Sequence, residues 1–332
     1  MDPIEESEEL QQILQEDPSN LQARRRLAML LLENGFNEEA LKQLLYLANI
    51  FTEDADCYYN LGIAYEKNKK FPLAKEAYLR ALNLSGENID CIYNLGMVSI
   101  ELGEFDDAIN FFNRVLEVEP NDSNTYFNLG IAYLKKGEIF EALENFSKTV
   151  EINNQDYLAH FYIGNIFRET EQNELALKEF FTVLDIRPDY SWAYYNIASI
   201  YYGEGDVEQA IEYLKKTLEY NVNDIKACEL LIKILVKNQQ YDDAIDFLQS
   251  LTFKNEFNYD YYYLMARVFK EMGHLQYYAD NLKMVLDNPD KITYPIATIQ
   301  KEYDEIAQEW FTKKNKVFKG RNWFSPKKSS NC

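Results

Sequence analysis

Cysteine is scarce in this chain of 332 residues, and its four occurrences, Cys57, Cys91, Cys228 and Cys332, are widely scattered. That spacing excludes a disulfide framework or a CxxC metal knuckle and suits a reducing compartment. Histidine is scarcer still, with only His160 and His274, too far apart in sequence to suggest a metal or acid–base cluster. Long apolar runs are missing: stretches such as Ala28–Leu32 fall far short of the roughly 18–20 residues that span a bilayer. The acidic start Met1-Asp2-Pro3-Ile4-Glu5-Glu6 has neither the basic flank nor the apolar stretch of a signal peptide, so a cytoplasmic protein is expected. Positive charge is in deficit as well, with 34 Lys and Arg against 55 Asp and Glu and a net charge of −21. Such a surface repels phosphate backbones and anionic lipid, which argues against nucleic acid or membrane as the main partner. Phosphate-cradling glycine is absent too, since Gly203-Glu204-Gly205 lacks the strand and third glycine of a dinucleotide motif. No set of residues assembles a reaction centre, so neither an enzyme nor a cofactor is expected.

What the chain does have is a period. Asn60-Leu61-Gly62 returns as Asn94-Leu95-Gly96 and Asn128-Leu129-Gly130, and the same step of 34 reaches Tyr162-Ile163-Gly164 and Asn196-Ile197-Ala198. Extended both ways it gives eight units, 21–54, 55–88, 89–122, 123–156, 157–190, 191–224, 225–258 and 259–292, with no insertion. Inside each unit apolar residues fall three or four apart in two stretches, the pattern of a helix hairpin. Position 15 is Gly35, Gly103, Gly137, Gly205 or Gly273 in five units, suiting the left-handed turn that ends a helix. Position 8 reads Ala28, Gly62, Gly96, Gly130, Gly164, Ala198, Ile232, Ala266, and position 20 reads Ala40, Ala74, Ala108, Ala142, Ala176, Ala210, Ala244, Tyr278. Apart from Ile232 and Tyr278 these are small residues, which let two helices approach closely.

This arrangement resembles the tetratricopeptide repeat family, whose units carry small residues at 8 and 20, Leu at 7, an aromatic at 11 and often Pro at 32. The resemblance covers residues 21–292 and implies an all-α fold, a right-handed superhelical solenoid of helix hairpins with helical caps. Residues 1–20 then read as an N-terminal half-repeat, with Leu10, Ile13 and Leu14 on its apolar side. Ile296, Ile299, Tyr303, Ile306 and Trp310 form an amphipathic stripe that marks 293–312 as the C-terminal capping helix.

The resemblance also implies a function: a scaffold or adaptor whose first helices line a concave groove that binds extended peptide segments of other proteins. Positions 2, 5, 9 and 12 of each first helix share one stripe. In the first half of the chain these positions supply Tyr59, Tyr93 and Phe127 with Ile63, Met97, Ile100, Ile131 and Leu134, an apolar face. From unit 5 onward the groove positions turn polar and basic, with Arg168, Lys226, Lys233, Lys237, Arg267 and Lys270 among Trp192, Tyr195, Tyr202 and Tyr263. An acidic segment or a carboxylate would suit such a face; equally, nearby Glu169, Glu229, Asp260 and Glu271 could compensate it as an ordinary solvated surface. Asn60, Asn94, Asn128 and Asn196 at position 6 look like the asparagine ladder of peptide-binding relatives, in which an amide donates to and accepts from a peptide backbone; Tyr162 interrupts the series. The chaperone-clamp set of other relatives is incomplete here: Asn165, Asn196 and Lys226 fit, but Phe161 and Leu230 replace the remaining members.

Self-assembly is the competing expectation, because Ile232 and Tyr278 break the small-residue rule and could open a homo-oligomer seam. A non-catalytic accessory subunit of an enzyme complex is a further one. Residues 313–332 carry seven basic residues and no acid, leaving 27 basic against 55 acidic, a net of −28, in the remainder. This reads as a flexible tail in which Phe318, Trp323 and Phe324 accompany the cations, the one place where nucleic acid or membrane could be touched.

Overall fold

Asp54, Asn88, Asp122, Asp156 and Asp224 each accept a hydrogen bond from a backbone N–H two or three residues onward and so start a helix. They stand 34 residues apart except where Tyr190 intervenes without a capping bond. The computed structural model describes residues 2–255 and 258–319, without the side chains of 309–319. All regular structure in these residues is helical. Two units are compact in themselves, one up to Thr182 and one from Val183.

In the first unit α1 (Pro3–Glu16) precedes the hairpins α2/α3 (Leu21–Glu33, Asn37–Ile50), α4/α5 (Ala55–Lys67, Phe71–Ser85), α6/α7 (Ile89–Leu102, Phe105–Val118) and α8/α9 (Ser123–Lys136, Ile139–Ile152). They are followed by α10 (Tyr157–Glu169) and α11 (Asn173–Ile186), the latter running past Thr182. The second unit holds α12/α13 (Ser191–Glu204, Val207–Tyr220), α14/α15 (Ile225–Lys237, Tyr241–Lys254), α16/α17 (Asp260–Glu271, Leu275–Leu286), a short 3-10 turn at Pro289–Lys291 and α18 (Ile296–Lys319). In both units each helix packs on the next along the chain, the consecutive pairing of a helical solenoid.

The hairpin is set by a pair of residues sixteen apart. A Cβ placed on Gly62, Gly96, Gly130 or Gly164 would come within 2.5, 2.6, 2.6 or 2.8 Å of the ring of Tyr78, Phe112, Phe146 or Phe180. These rings, at position 24, are fully buried. Where position 8 is Ala28, Ala198, Ile232 or Ala266, position 24 is Leu44, Leu214, Leu248 or Leu282, also buried. The aromatic ring thus takes the space a side chain would need, and close packing holds either way. Ala40, Ala74, Ala108, Ala142, Ala176, Ala210 and Ala244 at position 20 are without solvent exposure.

All eight hairpin turns use a left-handed residue at position 15. Five are glycine, and the other three are Lys69 (φ 56°), Glu171 (φ 60°) and Gln239 (φ 61°). Both exceptions to the small-residue rule, Ile232 and Tyr278, are buried. Tyr278 fits because its hydroxyl donates to Glu302 Oε2 on α18 at 2.7 Å, while Tyr263 donates to Oε1 of the same carboxylate at 3.2 Å. Burial, then Glu302, pushes the Tyr278 phenol well above its ordinary pKa. Ile299 and Ile306 are buried in the same cluster, with Tyr303 beside them. The helix continues to Lys319, into the segment read as a tail; residues 320–332 lie outside the described residues, as does the side chain of Trp310.

Candidate functional site

On the first helices of the first unit, the residues at positions 5 and 6 interlock between neighbours. Asn94 on α6 donates its amide N–H to the hydroxyl of Tyr59 on α4 at 3.2 Å, and Asn128 on α8 donates to Tyr93 on α6 at 2.7 Å. Each amide keeps its carbonyl oxygen and a second N–H. Burial raises the pKa of both phenols, so each enters the contact as a neutral hydroxyl. The next rung has neither partner: Phe127 has no hydroxyl and Tyr162 stands where an asparagine would, and their rings meet edge-on at 5.7 Å. Tyr162 also stacks on Phe146 at 5.1 Å.

The aromatic residues expected to line an apolar face are half-buried instead. Tyr59 lies 5.8 Å from Tyr78, Tyr93 5.7 Å from Phe112, and Phe127 5.6 Å from Phe146. Each position 5 ring thus leans on the position 24 ring of its own hairpin, and Ile63, Met97, Ile131 and Leu134 pack against the same clusters. Large exposed apolar side chains sit elsewhere, chiefly on second helices, as with Leu73, Leu79, Phe140, Phe181 and Phe253. Asn60 and Asn165 are half-buried on α4 and α10, and Arg168 lies in the last turn of α10.

In the second unit, Trp192 is 52% exposed at the start of α12, whereas Tyr195 and Tyr202 pack against the core. Asn196 is 5% exposed and donates to the carbonyl of Trp192 on its own helix. Lys233, Lys237 and Arg267 are brought together around a cavity of about 530 Å³ between α14 and α16, with Glu229, Glu271, Ile232, Val236, Leu264 and Val268. Lys226 is exposed on α14 outside that lining, and Lys270 lies 5.4 Å from the Tyr278 ring centroid. Among the described residues, Lys226, Lys233, Lys237 and Arg267 make no ion pair.

Two of the acids expected to compensate this face are committed elsewhere. Asp260 is buried and accepts from the Thr293 backbone N–H at 2.8 Å and its hydroxyl at 2.9 Å. Glu229 accepts from the Tyr294 hydroxyl at 2.5 Å. Burial and then this carboxylate drive the Tyr294 phenol well above its ordinary pKa, so Glu229 is held by a neutral donor. Both partners belong to the segment between the 3-10 turn and α18, outside the repeat, where the period offers no signal.

A larger cavity, about 980 Å³, lies along α5 and is lined by Tyr58, Tyr65, Leu73, Leu79 and Arg80 among others. Its cations are engaged: Lys75 pairs with Glu104 at 2.5 Å and Asp107 at 2.8 Å, and Arg80 donates to the Thr52 carbonyl at 3.2 Å. His160 is paired as well, its Nδ1 lying 2.6 Å from Glu179 Oε2 across the α10/α11 hairpin. Cys57, Cys91 and Cys228 are buried free thiols; burial pushes the first two up to about 11 and the third higher. No helix among the described residues is long and apolar enough to cross a membrane.

Residues 3–57, 55–88, 123–156 and 201–268 match profiles described as tetratricopeptide repeat, and 98–137 and 164–205 match one described as TPR repeat. No curated protein matches the chain. Among solved structures it is similar to the C-terminal part of a TPR repeat-containing protein from Cytophaga hutchinsonii, at 17% identity over 71% of this chain and 97% of that one, with a TM-score of 0.58. It is similar to PilF of Pseudomonas aeruginosa at 18% identity over 63% and 96% of the two chains, TM-score 0.53. YrrB, a TPR protein with an unusual peptide-binding site, is 26% identical over 56% and 96%, TM-score 0.47.

Proposed function

Since the chain belongs to the tetratricopeptide repeat family of protein-interaction scaffolds, we propose that it holds extended segments of partner proteins on its first-helix faces. The observation that carries this reading is the pair of tethered amides, Asn94 on Tyr59 and Asn128 on Tyr93. A free asparagine side chain must lose rotamer freedom to meet a ligand, and here the tyrosine hydroxyls have already fixed it, lowering the entropic cost of binding. One carbonyl and one N–H on each amide match the acceptor and donor that every peptide unit of an extended chain presents. Recognition through the backbone tolerates many side chains, which is the behaviour of an adaptor rather than of a receptor for one sequence.

The test is binding of unstructured synthetic peptides of varied sequence to the wild type and to Asn94→Ala/Asn128→Ala, once circular dichroism shows equal helicity. The reading requires a loss across peptides of unrelated sequence in the variant. Undiminished binding would remove the amides from the interface.

A further inference from the structure

We propose that the cavity between α14 and α16 is a binding site for an acidic segment of a partner protein. Its carboxylates would pair with Lys233, Lys237 and Arg267, and a neighbouring aliphatic side chain would rest on the half-buried Val236. The inference goes beyond the tethered amides on α6 and α8 and does not depend on them.

The first support is a contrast between two basic places in one acidic chain. At the start of the first unit, a cavity of about 550 Å³ is lined by Arg25 and Arg26. Each is neutralised, Arg25 by Asp54 and Arg26 by Glu6, both at 2.6 Å. With 55 acidic residues in the chain, a cation is readily paired. Yet Lys233, Lys237 and Arg267 reach no carboxylate, although Glu229 and Glu271 line the same cavity.

The second support is the disposition of the acids. Glu229 is turned to Tyr294 and Asp260 to Thr293. In the lining, three cations stand against two carboxylates, leaving a positive site on a chain of net charge −21. That local excess of positive charge suits an anionic occupant.

The third support is the floor. Ile232 occupies a position that is glycine or alanine in every other unit; it is buried with Leu264 and Val268, and the half-buried Val236 beside it gives the cations an apolar neighbour. A site that is apolar beneath and cationic at the rim favours a segment with an apolar anchor among acids over a free inorganic anion.

Fluorescence anisotropy of the full chain tests this with a labelled peptide Ser-Asp-Glu-Leu-Phe-Asp-Glu-Ser and its amide counterpart Ser-Asn-Gln-Leu-Phe-Asn-Gln-Ser. The acidic probe is expected to bind at least about tenfold more tightly than the amide one, the scale of one charge-assisted contact. Lys233→Gln/Arg267→Gln should lose that preference with unchanged circular dichroism. Tyr294→Phe, which releases Glu229, should weaken the acidic probe alone. Equal binding of both probes, no binding of either, or full retention by Lys233→Gln/Arg267→Gln would overturn the proposal. So would displacement by inorganic phosphate as effective as by unlabelled peptide, which would reveal a simple anion patch. Concentration-dependent mass that is lost in the same double variant, without peptide binding, would assign the cavity to a second copy of the chain instead.

Discussion

Asn128 reaches back 35 residues to place an amide N–H 2.7 Å from the hydroxyl of Tyr93. The contact joins two successive first helices through their side chains, beside a phenol that itself leans on Phe112. Tyr93→Phe keeps the ring and removes the acceptor. It is expected to lower stability by about 0.5–1.5 kcal/mol, the net worth of one hydrogen bond, read as a drop in the urea midpoint. Peptide affinity should fall with it, because the Asn128 side chain then has to be ordered by the ligand.

Gly96→Ala places a methyl where the Phe112 ring already lies, 2.6 Å away. Overpacking of this kind costs about 1–3 kcal/mol. Phe112→Leu should recover much of that loss when combined with Gly96→Ala, reproducing the Ala and Leu pair found at Ala198 and Leu214. A double-mutant cycle by thermal unfolding measures the coupling. Additive losses would show that the two positions do not share one space.

Gln239 holds a left-handed backbone at φ 61° in a turn where five other units use glycine. Side chains pay roughly 1–2 kcal/mol for that conformation, while glycine carries an entropic penalty of about 0.5–1 kcal/mol. Gln239→Gly is therefore expected to raise the unfolding midpoint slightly. Gly137→Ala, at φ 88°, should lower it by more, and calorimetry on the two variants checks the opposite signs.

His160 confers a pH dependence on the first unit. The hydrogen bond to Glu179 raises its pKa above the ordinary 6.5, burial opposes this, and the charges of Glu179 and Asp156 reinforce it. A folded-state value above the unfolded one means stability that is complete below the unfolded pKa and lost as pH climbs through the folded one. Urea unfolding across that interval should show a decline in the wild type that is absent in His160→Gln.

The period was legible because 34 residues separate identical letters at positions 6 to 8, and the small residues at positions 8 and 20 state directly where two helices touch. Their partner was not legible. Position 24 is aromatic in four successive units and leucine in the other four, and it gains meaning only when each letter is set against the residue sixteen before it. The tyrosine and asparagine rungs join residues 35 apart, one step off the repeat, so aligned columns conceal them. Position 5 looked like an open aromatic face because helical spacing reports direction alone; the ring of the following helix takes up half of that surface. Lys69, Glu171 and Gln239 carry no such signal, since nothing in their chemistry announces a left-handed turn. The basic cluster was visible as composition, but whether it was neutralised depended on Thr293 and Tyr294, beyond the last repeat and 33 and 65 residues from their partners.

The two kinds of hairpin contact, glycine under an aromatic ring and alanine beside leucine, bear on how such a gene can change. A crossover between a hairpin's helices would join Ala198 to a ring like Phe112, or leave Gly96 facing a leucine across an unfilled gap. A crossover at the Asp or Asn that opens a repeat keeps both halves of each contact together. Inheritance of this chain is thereby quantised: segments can be gained, lost or exchanged between relatives as entire hairpins, and a recombinant that joins halves of the two kinds carries a packing defect from its first generation.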